Sequence, residues 1–135
     1  MNRVTGTIES KKGFYIGDIC YVLNDKVYHG VWGKAEYKDG IYKEPSTGFE
    51  FAVAGTAYGD GEYEDNEFRR YYVDAGCIGL VPLELVEKDT GGGHLYEGAG
   101  TATFEAESGS FKITLPCGKI ITIETDEEID EEDCY

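Results

Sequence analysis

The sequence predicts an all-β fold: an antiparallel β-sandwich or a partly closed barrel, with one or two short helical turns. Three observations carry that prediction. The 135 residues include 19 glycines and 11 tyrosines but only 3 prolines, a composition that suits pleated strands joined by tight turns. Apolar and polar residues alternate with a period of two in several short runs. Clusters of Gly, Asp, Asn and Ser punctuate those runs. With 41% hydrophobic residues, a chain of this length can bury a core without disulfides, and one domain is the default. Residues 1–123 read as that domain and 124–135 as an acidic C-terminal tail.

Each element follows in order. Arg3 to Glu9 sets Val4, Gly6 and Ile8 against Thr5 and Thr7, an opening strand. Lys11, Lys12 and Gly13 turn the chain, and Phe14-Tyr15-Ile16 starts a second strand that breaks at Gly17-Asp18. A glycine inside a strand pattern marks a bulge or a close backbone approach. Ile19 to Leu23 continues as a buried run. Asn24 or Asp25 can cap a short helix whose apolar face is Val27, Tyr28, Val31 and Trp32; Gly30 and Gly33 limit it to two turns.

Lys34 to Thr47 is polar, carries the Asp39-Gly40 turn signal and Pro45, and reads as a mobile loop. Gly48 to Gly55 alternates cleanly and reads as a strand. Tyr58 to Glu67 reads as an acidic, turn-rich segment, and Phe68 to Val73 as a strand interrupted by Asp74-Ala75-Gly76. Cys77 to Val81 is a second buried run. Pro82 suits the first position of a helical turn that packs Leu83, Leu85 and Val86, and Asp89 to Gly93 is a loop. Ala102, Phe104 and Ala106, then Phe111, Ile113 and Leu115, then Lys119 to Thr125 form a three-stranded meander turning at Ser108-Gly109 and Pro116-Cys117-Gly118. The expectation is seven or eight strands.

The formal charge is −15, from 27 acids against 12 bases. Eight of the acids lie in Glu124–Tyr135, which holds no base, so the preceding residues carry −7. Such a balance disfavours nucleic acid and anionic membranes and allows a basic protein partner, while the acidic tail reads first as a solubilising segment. No apolar stretch is long enough to span a membrane or to act as a signal peptide. Cys20, Cys77, Cys117 and Cys134 include no C-x-x-C pair, so neither a zinc ribbon nor a dithiol redox motif is expected. The chain reads as cytoplasmic, with reduced thiols.

Two constellations could carry chemistry. Asp18 and Asp60 adjoin glycines and Asp74 lies two residues before Gly76; Glu62, Glu64 and Asp65 are close in sequence. Such aspartates form turns, or, converging, they could hold a hard cation. Asp60-Gly61-Glu62-Tyr63-Glu64 lacks the residue order of an EF-hand loop. A thiol nucleophile at Cys20 or Cys77 would need His29 or His94, the only histidines, as its base. Gly91-Gly92-Gly93 is followed by neither Gly-Lys-Ser/Thr nor a helix and is not a phosphate loop. No cofactor is implied. Tyr15, Tyr21, Tyr58, Tyr63, Tyr71 and Tyr72 could line a sugar or peptide pocket, or serve as core and cross-strand pairs.

Ile16-Gly17-Asp18-Ile19-Cys20-Tyr21-Val22, then Trp32, then Tyr58-Gly59-Asp60-Gly61-Glu62-Tyr63, then Val73-Asp74-Ala75-Gly76-Cys77-Ile78-Gly79 resemble, in this order, elements of a group of small bacterial and phage proteins of unknown function. The resemblance spans roughly Phe14 to Pro82. This chain has Ile19 where that group commonly has proline, and Ala57 where glycine is common. The resemblance implies kinship without a mechanism. It singles out Asp18, Cys20, Tyr21, Asp60, Gly61 and Asp74, and with Tyr58 these make the candidate binding site.

The functional expectation is a small non-catalytic binding domain for a protein or a small ligand. One alternative is an acidic inhibitor or immunity-type protein that neutralises a basic partner. The other is a metal-assisted or carboxylate-based hydrolase using Asp18, Asp60 and Asp74, which requires those groups to share one cleft.

Overall fold

The computed structural model describes residues 3–87 and 92–125. The fold is mainly antiparallel β, as the composition predicts. Among the described residues, eleven strands are arranged in three sheets: β1 (Arg3–Ser10), β2 (Gly13–Gly17), β3 (Gly40–Lys43), β4 (Glu50–Gly55), β5 (Gly61–Glu64), β6 (Arg70–Val73), β7 (Cys77–Pro82), β8 (His94–Glu97), β9 (Gly100–Glu107), β10 (Ser110–Thr114) and β11 (Ile120–Glu124). One sheet has the order β1-β9-β10-β11, a second β3-β4-β7-β2-β8, and β5-β6 is a separate hairpin. None closes into a barrel.

The two large sheets differ in a way their sequences record. The four-stranded sheet buries one face, so β9 alternates Ala102, Phe104 and Ala106 inward with Thr and Glu outward. The five-stranded sheet is covered on both faces, so β2 and β7 are buried at every position. Its first face meets the four-stranded sheet through Phe14, Ile16, Ala52, Ala54, Ile78 and Leu80, opposite residues such as Ile8, Phe104, Phe111 and Ile121. Its second face, with Tyr15, Phe51, Val53 and Val81, lies under a helical layer that supplies Ile19, Val22, Leu23, Val27 and Trp32.

That helical layer runs from a 3-10 turn (Ile19–Tyr21) through α1 (Asp25–Val27) into a π-helical turn (Tyr28–Trp32) and a last 3-10 turn (Gly33–Ala35). Asn24 caps it: its side chain accepts from the Val27 N–H at 2.9 Å. The buried run after Asp18 is therefore helical, not extended. Its apolar residues are all covered, but Asp18 ends the strand by accepting from the Cys20 N–H.

Three strands were not anticipated. β3 falls within the polar stretch expected to be a loop; it is a half-buried edge strand held by its pairing to β4. β5 falls within the acidic turn-rich segment and pairs with β6 from Gly61↔Val73 to Glu64↔Arg70. β8 follows the glycine triplet and pairs with β2. Its partner lies far away in sequence, and an alternation of only four residues, His94 to Glu97, is a weak announcement of a strand. β6 also starts two residues later than expected. Phe68 takes a left-handed φ of 66° in a turn, because buried Asp65 accepts from the N–H groups of Glu67 (2.7 Å) and Arg69 (3.0 Å). The meander β9-β10-β11 forms as predicted, with β1 added on its outer edge.

The β5-β6 hairpin bridges the two large sheets. Asn66 pairs with the edge of β11, exchanging bonds with the Thr122 N–H (3.1 Å) and carbonyl (3.0 Å) and donating to the Ile120 carbonyl (3.0 Å). On the other side, the Tyr72 N–H donates to the Gly92 carbonyl at 2.9 Å. Two sheet edges are thus partly covered. At the far end, buried Thr125 donates to the Gly109 carbonyl and accepts from the Ala57 N–H, so packing extends one residue past β11. Most of the acidic tail, residues 126–135, lies outside the described residues, as does most of the 89–93 loop.

Phe104 and Phe111 meet edge to face with ring centroids 6.1 Å apart, both within 1% of full burial. Phe104→Ala should lower the free energy of unfolding by about 3–5 kcal/mol, measured by urea titration.

Candidate functional site

Four of the six residues singled out from the sequence come together at one end of β2. Asp18 is fully buried. Its Oδ1 accepts from the Cys20 N–H at 2.9 Å and from the Cys77 thiol at 3.5 Å. Its Oδ2 accepts from the N–H groups of Asp74 (2.8 Å) and Ala75 (2.6 Å). The Tyr15 hydroxyl donates to the Asp18 carbonyl at 2.9 Å. Tyr21 donates to Asp74 Oδ2 at 2.8 Å, and that bond is the main cause that pushes its phenol up to about 12. One carboxylate therefore joins the exit of β2, the first helical turn and the β6-β7 turn. Three backbone N–H groups and a thiol occupy it, which is how a buried charge is satisfied.

Asp60 and Tyr58 stand apart from this cluster. Both are exposed, and no hydrogen bond links Asp60 to Asp18 or Asp74. Their turn does pack beside the same β6-β7 turn: the Thr56 N–H donates to the Gly76 carbonyl at 3.0 Å. Among the described residues, no group of three or more His, Cys, Asp or Glu is arranged to hold a metal ion. The three aspartates thus cluster by turn without converging by carboxylate.

The two thiols here are poor nucleophiles. Burial, and next the Asp18 carboxylate, push Cys20 up to about 12 and Cys77 well above the usual thiol range. Neither histidine serves them. His29 Nδ1 lies 2.8 Å from the Tyr37 hydroxyl, and His94 Nε2 lies 2.7 Å from the Arg70 carbonyl.

The open site lies elsewhere. Between β8, the turn after it and the 115–119 turn is a cavity of about 490 Å³. Phe14, Leu115 and Pro116 contribute apolar walls, Tyr96 an aromatic wall, and Cys117 and Lys119 line the side formed by the turn. Tyr96 is held in place by polar contacts. Arg69 Nη1 donates to its hydroxyl at 2.9 Å, its hydroxyl lies 3.3 Å from that of Tyr71, and Tyr71 donates to Asp65 Oδ2 at 2.7 Å. The Arg69 guanidinium and the Lys119 ammonium sit 5.1 and 5.9 Å from the Tyr96 ring centroid; Lys119 also pairs with Glu67 at 3.0 Å.

No protein family, curated protein or solved structure was found to match the chain.

The cavity leaves no single motif in the sequence, because its walls come from three separate segments: Phe14, residues 95–99 and residues 115–119. The one local signal was His94-Leu95-Tyr96-Glu97, whose alternation follows three glycines. Asp65 was visible only as one acid among several, whereas its turn fixes Arg69 and so Tyr96.

Two outcomes test the cluster. Asp18→Asn puts an amide donor against backbone donors and should cost about 2–4 kcal/mol of stability, measured by denaturant titration; an unchanged midpoint would remove the role given to Asp18. With iodoacetamide at pH 8 in the native state, peptide mapping should find exposed Cys117 alkylated at least tenfold faster than Cys20 and Cys77, with the difference abolished in urea.

Proposed function

We propose that the protein is a non-catalytic binding domain and that its ligand enters the cavity beside β8. One observation carries this reading: a concave site with apolar walls and a fixed aromatic wall, within the size range of roughly 300–1,000 Å³ typical of ligand pockets. The Arg69-Tyr96-Tyr71-Asp65 chain supports it. Those bonds hold Tyr96 in one position before any ligand arrives, which lowers the ordering cost of binding. The Asp18 cluster supports it from the other side, because its acceptor atoms are engaged in holding turns together.

Among the described residues no helix is long and apolar enough to cross a membrane, and the excess of acids favours a basic partner over nucleic acid.

Nile red, a neutral apolar dye, tests the site. Wild type should bind it saturably at one dye per chain. Ala99→Trp and Cys117→Trp, at exposed positions on opposite walls, should each weaken binding at least tenfold while leaving the unfolding midpoint in place. Absence of binding by wild type, or equal binding by both variants, would refute the assignment.

A further inference from the structure

The cavity runs along a sheet edge. Among the described residues β8 is the last strand of its sheet and pairs with β2 alone. In an antiparallel ladder, bonded and non-bonded pairs alternate. The Gly98 N–H donates to the Lys12 carbonyl at 3.0 Å, so with the observed register the bonded pairs are Lys12/Gly98, Phe14/Tyr96 and Ile16/His94. The N–H and C=O groups of Leu95 and Glu97 therefore point away from β2, along the open edge. The β5-β6 hairpin meets this side of β8 through Tyr72 to the Gly92 carbonyl, Arg70 to the His94 ring and Tyr71 to the Tyr96 hydroxyl, and none of these bonds uses the N–H or C=O of Leu95 or Glu97. Leu95 and Glu97 both belong to the cavity lining, and the Leu95 side chain is about half exposed.

Backbone groups in a row beside an apolar cavity are what strand addition uses. Main-chain bonds supply affinity, and a pocket beside the edge selects an alternate side chain. Charge limits the occupant. The chain carries −15 overall, Glu97 stands on the edge itself, and Lys119 is already paired with Glu67. Acidic segments are repelled and basic ones attracted.

We propose that the open edge of β8 takes an extended peptide segment as an added strand, with one apolar side chain seated in the cavity and Lys or Arg side chains flanking it. This rests on the reading of the cavity as the binding site, and the test separates the two. A displayed library of random octapeptides is selected on the whole protein, and the enriched peptides are measured against wild type and Glu97→Pro. That substitution removes an outward N–H on an edge strand, where proline is tolerated. Enriched peptides should alternate apolar residues with at least two bases, weaken as salt is raised, and bind Glu97→Pro at least tenfold less tightly. On wild type the peptide should slow amide exchange at Leu95 and Glu97 at least tenfold, a readout that does not depend on the variant folding. Enriched peptides that leave those two amides unprotected, or a selection that enriches nothing while Nile red still binds, would overturn strand addition and leave the cavity reading standing. Failure of Nile red on wild type would remove the cavity reading itself.

Discussion

The five-stranded sheet is buried on both faces, and most of the remaining structure answers that constraint. A sheet with water on one side can end its strands in solvent. This one cannot, because its first face meets the four-stranded sheet and its second lies under the 19–35 helical layer. Where β2 leaves the sheet, its backbone is still buried and its polar groups need partners. Asp18 supplies them. It ends the strand, caps the next helical turn and reaches 56 residues along the chain to the Asp74 N–H. The cluster that looked like chemistry in the sequence is the fastening between layers.

Edges are the second consequence. Two stacked sheets of four and five strands leave open sides, and the β5-β6 hairpin covers part of one by bonding to β11 through Asn66 and to the start of β8 through Tyr72. The hairpin is shorter than the side it covers. Where it stops, the space between β8 and the 115–119 turn stays open, and Tyr96 stands in its wall. The cavity is thus a part of the sandwich that no strand among the described residues closes. Buried Asp65 is central to that layout. It shapes the turn at Phe68, which places Arg69, and it ends the hydrogen-bond chain that passes through Tyr71 and Tyr96.

Two carboxylates of similar burial therefore serve different ends. Asp18 accepts mainly from backbone and fixes topology. Asp65 accepts from backbone at one oxygen and from a tyrosine at the other, and so connects a turn to a cavity wall. Neither faces solvent with free acceptor capacity that would invite a cation. The thiols beside Asp18 are held protonated by burial and by its charge, which fits a packing role for Cys20 and Cys77.

What the sequence determined by itself is the fold class and the two kinds of sheet. Period-two alternation at Ala102, Phe104 and Ala106 means one wet face, and the unbroken apolar run Cys77–Val81 means none, because each side chain's polarity has to suit the face on which it lies. The joining of Asp18, Cys20, Tyr21 and Asp74 was legible as a set of residues worth attention, though not as a fastening. Tertiary structure alone decided the rest. β3, β5 and β8 are four-residue strands defined by what they pair with, β3 with β4, β5 with β6 and β8 with distant β2, and runs so short leave little pattern of their own. Asp60 is exposed on its own turn, packed beside the β6-β7 turn, and its distance from the Asp18 carboxylate is set by how those turns pack. The cavity exists because the hairpin ends short of β8's last residues, a fact about lengths in space that no run of residues encodes.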